Sequence, residues 1–131
     1  MHPAAPFFDS FVVPKKRHRY TELLSTTRGL KKVRLSLDHF KDLDTRFCHR
    51  VPSAQQHAVE IVRALKGLGA PDTCYVMSSN GELDGREMNL SDALGAIVGR
   101  GMGSVVSCVP GVLGYFECEE AGERYICHLE R

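Results

Sequence analysis

Three short segments rich in β-branched and aromatic residues lie near the end of the chain, and they constrain the fold most. They read SVVSCV, VLGYFECE and ERYICHLE and fall within residues 104–130. The turn formers PG (110–111) and EAG (120–122) separate them. Short apolar strands joined by such turns are typical of a meander, because each strand can pair with the one before it. We therefore predict three consecutive antiparallel strands.

An amphipathic helix is predicted upstream, at residues 53–68. Apolar residues recur there every three or four positions, with charged residues on the opposite side. Ser53 and Gln56 have the spacing of a capping box, in which each side chain satisfies a backbone amide of the first turn. We expect the helix to begin at this pair and to bury one side.

A strand and a second helix follow. TCYVMS (73–78) has the composition of a strand, and residues 90–98 have helical apolar spacing with Asn89 as N-cap. The order is therefore N-terminal helices followed by a β-α-β-β-β unit. It predicts an α+β fold in which the helices pack on one face of a mostly antiparallel sheet.

The secondary structure of residues 1–43 is less clearly indicated by the sequence. Residues 1–14 are punctuated by proline and predict an extended arm in front of a single α+β domain at 15–131. A short helix is predicted from Arg19 to Thr27, with Gly29 ending it. Residues 30–43 fit both helical spacing and strand alternation; the helical pattern covers more of them.

Composition excludes several classes of protein. The chain has 131 residues, of which 43% are hydrophobic and 25% charged, as in ordinary globular domains. Its apolar stretches are too short to span a bilayer, so we expect no membrane partner and a cytoplasmic location. The five cysteines lack the close spacing of zinc sites, which predicts free and mostly buried thiols, no metal and no cofactor.

The loop SSNGELDGREMNL (78–90) combines turn dipeptides with acidic residues. Part of it matches a calcium-binding loop, but the position that should hold a bidentate Glu is Ser91. Asn-Gly and Asp-Gly favour turns, so the loop is interpreted as a connector. The alternative is a partner-binding or catalytic loop, with these polar groups: Glu82, Asp84, Arg86 and Glu87.

One cysteine is a candidate reactive thiol. Cys48 lies in a basic segment between Arg46 and Arg50, next to His49. Neighbouring cations lower the pKa of a thiol and increase its thiolate fraction. An enzyme that uses Cys48 or the 82–87 loop is therefore one alternative function, and a homo-oligomer without chemistry is another.

The charge distribution indicates a different function. Residues 1–50 hold eleven Lys or Arg against five acids, whereas residues 51–131 hold six against eleven. Such asymmetry can indicate an anionic partner, for which nucleic acid ranks ahead of an acidic protein; the alternative is a solvated face that binds no partner. Tyr20 is the only aromatic residue of the basic segment, so base stacking would be limited. The candidate contacts are Lys15, Lys16, Arg17, Arg19, Lys31, Lys32 and Arg34.

Overall fold

A computed structural model describes residues 2–130 and shows a six-stranded antiparallel sheet. The strands lie side by side in the order β1-β6-β5-β4-β2-β3, and every neighbouring pair is antiparallel. Because β4, β5 and β6 are consecutive neighbours, the predicted meander is confirmed. Their bounds are β1 (Cys48–Arg50), β2 (Thr73–Ser78), β3 (Glu87–Asn89), β4 (Ser104–Val109), β5 (Leu113–Glu117) and β6 (Arg124–His128).

Five α-helices accompany the sheet in the part of the chain that the structure describes, so the predicted α+β class is confirmed. Short 3-10 turns lie at Leu37–His39 and Ser53–Gln55. Within residues 2–130, none of the helices combines the length and apolar character needed to cross a bilayer. The helices are α1 (Ala5–Phe11), α2 (Pro14–Leu23), α3 (Thr27–Ser36), α4 (Ala58–Gly67) and α5 (Leu90–Ile97).

The helices cover both faces of the sheet, which corrects the prediction of a single covered face. On β2, Val76 packs with α4 and α5, whereas the next residue, Met77, packs with α1 and α3. Tyr115 and Phe116 alternate in the same way on β5. Successive side chains of a strand point to opposite faces, so an uninterrupted apolar strand requires a cover on each side.

The first layer begins with α1, in the segment predicted to be an extended arm. Pro6 lies in its first turn, where a missing amide hydrogen costs nothing. Phe7, Phe8 and Phe11 fall on one side of this helix and are buried. The prediction of an extended arm is therefore wrong, because three aromatic side chains at helical spacing gain more from burial in the core.

A sharp turn separates α2 from α3, and Gly29 lies inside α3 rather than ending the preceding helix as predicted. The hydroxyl of Thr26 accepts a hydrogen bond from the Gly29 amide at 3.0 Å and caps α3. A Cβ atom at Gly29 would lie 2.1 Å from the carbonyl oxygen of Leu23. Glycine is therefore required there for the close approach of the two helices. For residues 30–43, the helical alternative is correct as far as Ser36.

The two predicted helix caps had different outcomes. Asn89 caps α5 as predicted, because its side-chain oxygen accepts hydrogen bonds from the amides of Ser91 and Asp92 at 2.9 and 3.3 Å. The Ser53–Gln56 capping box is wrong, because α4 begins only at Ala58. The side-chain amide of Gln56 instead donates to the carbonyl oxygens of Val51 and Gly122. It joins this loop to the turn between β5 and β6.

Candidate functional site

Two of the candidate cations on α2 are held by carboxylates of the same chain. Lys16 Nζ lies 2.9 Å from Asp42 Oδ1, and Arg17 lies 3.2 Å from Asp44 Oδ2. Arg17 also donates through Nε to the carbonyl oxygen of Val12 at 2.7 Å. These contacts attach α2 to the segment that follows the 3-10 turn, so Lys16 and Arg17 stabilise the fold and are not free for a partner.

These contacts lower the pKa values of the two carboxylates, Asp42 and Asp44. Hydrogen bonds from Arg46 lower the pKa of Asp44, which is buried. For Asp42, burial acts to raise the pKa, but hydrogen bonds from Tyr20 and Lys16 outweigh it and the pKa is lowered. Both groups are therefore ionised near neutral pH and keep their cationic partners in place.

A second set of cations has no such partner. Lys15 and Arg19 are four residues apart on α2, so they lie on the same side of that helix, and both are exposed. Arg28, Lys31 and Lys32 have the corresponding spacing on α3 and are also exposed. None of the five forms an ion pair with a carboxylate within residues 2–130. We call these five residues the basic surface.

Tyr20 is not part of the basic surface. Its ring stacks on Phe8 with the centroids 5.5 Å apart, and its hydroxyl donates to Asp42 at 2.5 Å. The aromatic group that could have stacked on a base is thus used in the core. The basic surface offers charge without an aromatic platform.

Within the 78–90 loop, residues 79–86 form the hairpin connection between β2 and β3, and residues 87–89 are β3 itself, which was not predicted. Asp84 Oδ1 accepts a hydrogen bond from the Ser78 amide at 2.9 Å, and Asp84 Oδ2 lies 3.8 Å from Arg34. Gly85 follows at a φ of 78°, a left-handed conformation that favours glycine. Asp84 and Arg34 therefore join the loop to α3. The other polar candidates of the loop are exposed: Glu82, Arg86 and Glu87.

Cys48 is buried, which corrects the expectation of an exposed and reactive thiol. Only 2% of its surface is accessible, and its Sγ lies 3.7 Å from the carbonyl oxygen of Phe11. The side chains of its basic neighbours Arg46, His49 and Arg50 are exposed, whereas the Cys48 side chain points into the core. The other four cysteines are also free and buried, as predicted.

The cysteines do not gather at one site. Cys74 and Cys108 lie under α4 and α5, and burial raises their pKa values to about 11 and about 12. The remaining three lie on the opposite face of the sheet. Within residues 2–130, no three His, Cys, Asp or Glu side chains are grouped as metal ligands.

A buried polar cluster around Glu117 was not predicted from the sequence. Tyr115 donates to Glu117 Oε1 at 2.7 Å, the Gly99 amide donates at 3.2 Å to Oε2, and Arg124 lies 3.6 Å away. Burial raises the pKa of Glu117. A lone Glu in a strand whose every residue is buried was the available signal. The cluster attaches the glycine-rich loop at residues 99–103 to β5, and its burial leaves no access for a ligand.

An open groove of about 670 Å³ lies between α1 and the end of α2, beside the basic surface rather than on it. The residues that line it are His2, Ala5, Pro6, Asp9, Thr21, Leu24 and Ser25.

Comparison of the chain with known protein families, with curated proteins and with solved structures finds no match. The assignment of function therefore depends on the residues and their geometry alone.

Proposed function

We propose that this protein is a binding domain whose basic surface contacts the phosphate groups of nucleic acid. One observation supports this most. The cations of the N-terminal segment divide into three that are paired with carboxylates (Lys16, Arg17 and Arg34) and the five of the basic surface, which are exposed and unpaired within residues 2–130.

The pairing makes α2 and α3 a fixed support for the unpaired cations. Arg17 anchors α2 through Asp44, and Arg34 joins α3 to the 78–90 loop. Cations held on a folded frame can neutralise several phosphates at once and release the counterions condensed on them. The driving force is therefore electrostatic and should decrease steeply with salt.

Nucleic acid fits this surface better than an acidic protein does. Protein interfaces have an apolar and aromatic centre, whereas Leu35 is the only large hydrophobic residue exposed on α2 or α3. Tyr20 is packed in the core, so the contact would lack base stacking. We therefore expect the basic surface to recognise the phosphate backbone without sequence preference. The proposal includes a cytoplasmic location, which five free cysteines support.

The alternative of an enzyme depended on Cys48 or on the 82–87 loop, and the position of Cys48 does not favour it. Cys48 is buried in the folded protein, so its thiol is not presented to a substrate at the surface. In the 82–87 loop, Asp84 holds the turn, and no base–nucleophile pair is formed there among the described residues. Binding is therefore the function that the geometry supports best.

Two variants with the same net charge test the proposal. Lys15, Lys31 and Lys32 are replaced by Gln in one, and the exposed Arg63, Arg86 and Arg100 in the control. Fluorescence anisotropy then measures the affinity for labelled single-stranded RNA and duplex DNA at low salt. We expect the first variant to lose affinity about tenfold or more and the control to change little, because only the first removes phosphate contacts.

Equal losses in the two variants would contradict the proposal, since they would show that only net charge matters. Binding of polyglutamate with no binding of either nucleic acid would also contradict it. That result would assign the basic surface to an acidic protein.

A further inference from the structure

Two cysteines face each other across neighbouring strands at one edge of the sheet. Cys48 on β1 is aligned with Cys127 on β6 in the antiparallel register. Both belong to the core under the first three helices, so their side chains lie on the same face of the sheet. They are almost inaccessible, at 2% and 0% of their surface. Both are free thiols in the structure.

The backbone hydrogen bonds define the geometry of this pair. On one side the Val51 amide donates to the carbonyl oxygen of Arg124 at 2.8 Å; on the other the His128 amide donates to the carbonyl oxygen of Phe47 at 2.9 Å. Hydrogen-bonded pairs alternate along an antiparallel ladder, so the pairs 47–128 and 51–124 leave Cys48 and Cys127 at a non-hydrogen-bonded position. Residues at such a non-hydrogen-bonded position have Cα atoms about 4.5 Å apart, within the range of about 4.4–6.8 Å that a disulfide spans.

We propose that Cys48 and Cys127 form a reversible disulfide by exchange with a low-molecular-weight disulfide such as oxidised glutathione. The thiolate of Cys48 attacks one sulfur of the reagent, forms a mixed disulfide and releases one thiolate. The thiolate of Cys127 then attacks the Cys48 sulfur, closes the protein disulfide and releases the second thiolate. The two thiol protons pass to the released thiolates, and the two electrons lost by the protein reduce the reagent.

Access to the pair is controlled by the edge strand. β1 has three residues and pairs only with β6, so it can separate from the sheet while the central strands stay intact. In the closed state, burial and the neighbouring thiol raise the pKa of Cys127 well above its ordinary value, and the thiolate is not formed. Exchange therefore requires the opening of β1 and is slow in the native protein.

The surrounding core tolerates the loss of the two S–H groups. The thiol of Cys48 donates to the carbonyl oxygen of Phe11, and the same oxygen accepts a hydrogen bond from the Asp44 amide at 2.7 Å. Removal of the thiol hydrogen therefore leaves no buried acceptor without a partner. The disulfide would join the edge strand to the last strand of the meander and oppose the opening that allowed it to form.

The experiment is incubation of the purified full chain with oxidised glutathione, with and without a low concentration of urea, followed by alkylation and peptide mapping without reductant. Trypsin releases Cys48 in FCHR (47–50) and Cys127 in YICHLER (125–131). We expect these two peptides to be linked, with faster linkage in urea and reversal by dithiothreitol. The oxidised protein should melt about 5–10 °C higher, because the cross-link restricts the unfolded chain.

Two variants provide the controls. Cys127→Ala should retain glutathione on Cys48, because the resolving thiol is absent, and Cys118→Ala should leave the linkage unchanged. Linkage between Cys74 and Cys108 alone would overturn the proposal. A glutathione adduct on Cys48 of the unsubstituted protein without closure, or no reaction at either urea concentration, would overturn it as well.

Discussion

The helical layers on the two faces of the sheet each cover an apolar core but differ in their exposed charges. On α4, Arg63 lies 3.1 Å from Glu60, and Lys66 pairs with Asp72. On α3, Arg28, Lys31 and Lys32 have no such partner within residues 2–130. Charges that neutralise each other support solubility alone, whereas unpaired charges of one sign create a field that attracts a partner. The difference locates the candidate site on the layer formed by α1, α2 and α3, which we call the N-terminal layer.

The largest expected effect tests whether the two layers contribute equally to stability. Phe8→Ala should lower the free energy of unfolding by about 3–5 kcal/mol, because it leaves a cavity under α1. Leu94→Ala, on α5 in the other layer, should cost about 2–5 kcal/mol. Both residues are fully buried. Urea denaturation provides the measurement; a cost below about 1 kcal/mol for Phe8→Ala would mean that α1 is not part of the core.

The next effect concerns the anchor of the N-terminal layer. Asp44→Asn should cost about 2–3 kcal/mol at neutral pH, because it removes a carboxylate that accepts charge-assisted hydrogen bonds from Arg17 and Arg46. Arg46 lowers the pKa of Asp44 in the folded state, so this stabilisation is present above the unfolded pKa of about 4. This stabilisation is lost as the pH falls through the pKa that Asp44 has in the folded protein.

Denaturation of the Asp44→Asn variant and of the unsubstituted protein over a range of pH values checks the sign of this effect. The difference in stability should be constant near neutral pH and shrink in acid. A difference that grows as the pH falls would contradict the assignment of Asp44 as an ionised anchor.

Two glycines sharpen the comparison between the layers. Gly29→Ala in α3 should cost about 1–3 kcal/mol, because the new methyl group would overlap the backbone of Leu23. Gly95→Ala in α5 has open space around it and should stabilise the protein by about 0.5–1 kcal/mol. Thermal or urea denaturation of the two variants distinguishes them. Stabilisation by both substitutions would show that the close contact between Gly29 and the end of α2 is absent.

The smallest expected effect separates stability from binding. Replacement of both Lys31 and Lys32 by Gln should change the free energy of unfolding by no more than about 0.5 kcal/mol, because both are exposed and unpaired within residues 2–130. Denaturation should therefore be nearly unchanged while affinity for nucleic acid falls. A large loss of stability would assign these residues to the fold instead.

The sequence predicted the second half of the fold better than the first. The meander and the Asn89 cap depend on local patterns, and both are confirmed. The two-sided cover of the sheet and the position of Gly29 depend on contacts between distant segments, which periodicity does not encode. The adjacent aromatic residues Tyr115 and Phe116 of β5, one for each face of the sheet, were a signal for two covered faces.

The candidate site was predictable only in part. Charge counting found the basic segment, but it could not separate Arg17 from Lys15, because the carboxylates that pair with cations lie twenty or more residues away. Cys48 was misjudged for a related reason. Its charged neighbours indicated exposure, whereas alternation along the strand turns its side chain into the core.

The salt dependence of nucleic-acid binding tests the central claim most directly. The affinity of the unsubstituted protein for duplex DNA is measured over a series of salt concentrations, and the logarithm of the association constant is plotted against the logarithm of the salt concentration. Engagement of three to five of the cations of the basic surface predicts a slope between about −3 and −5. A slope near zero, or no binding even at low salt, would contradict the account.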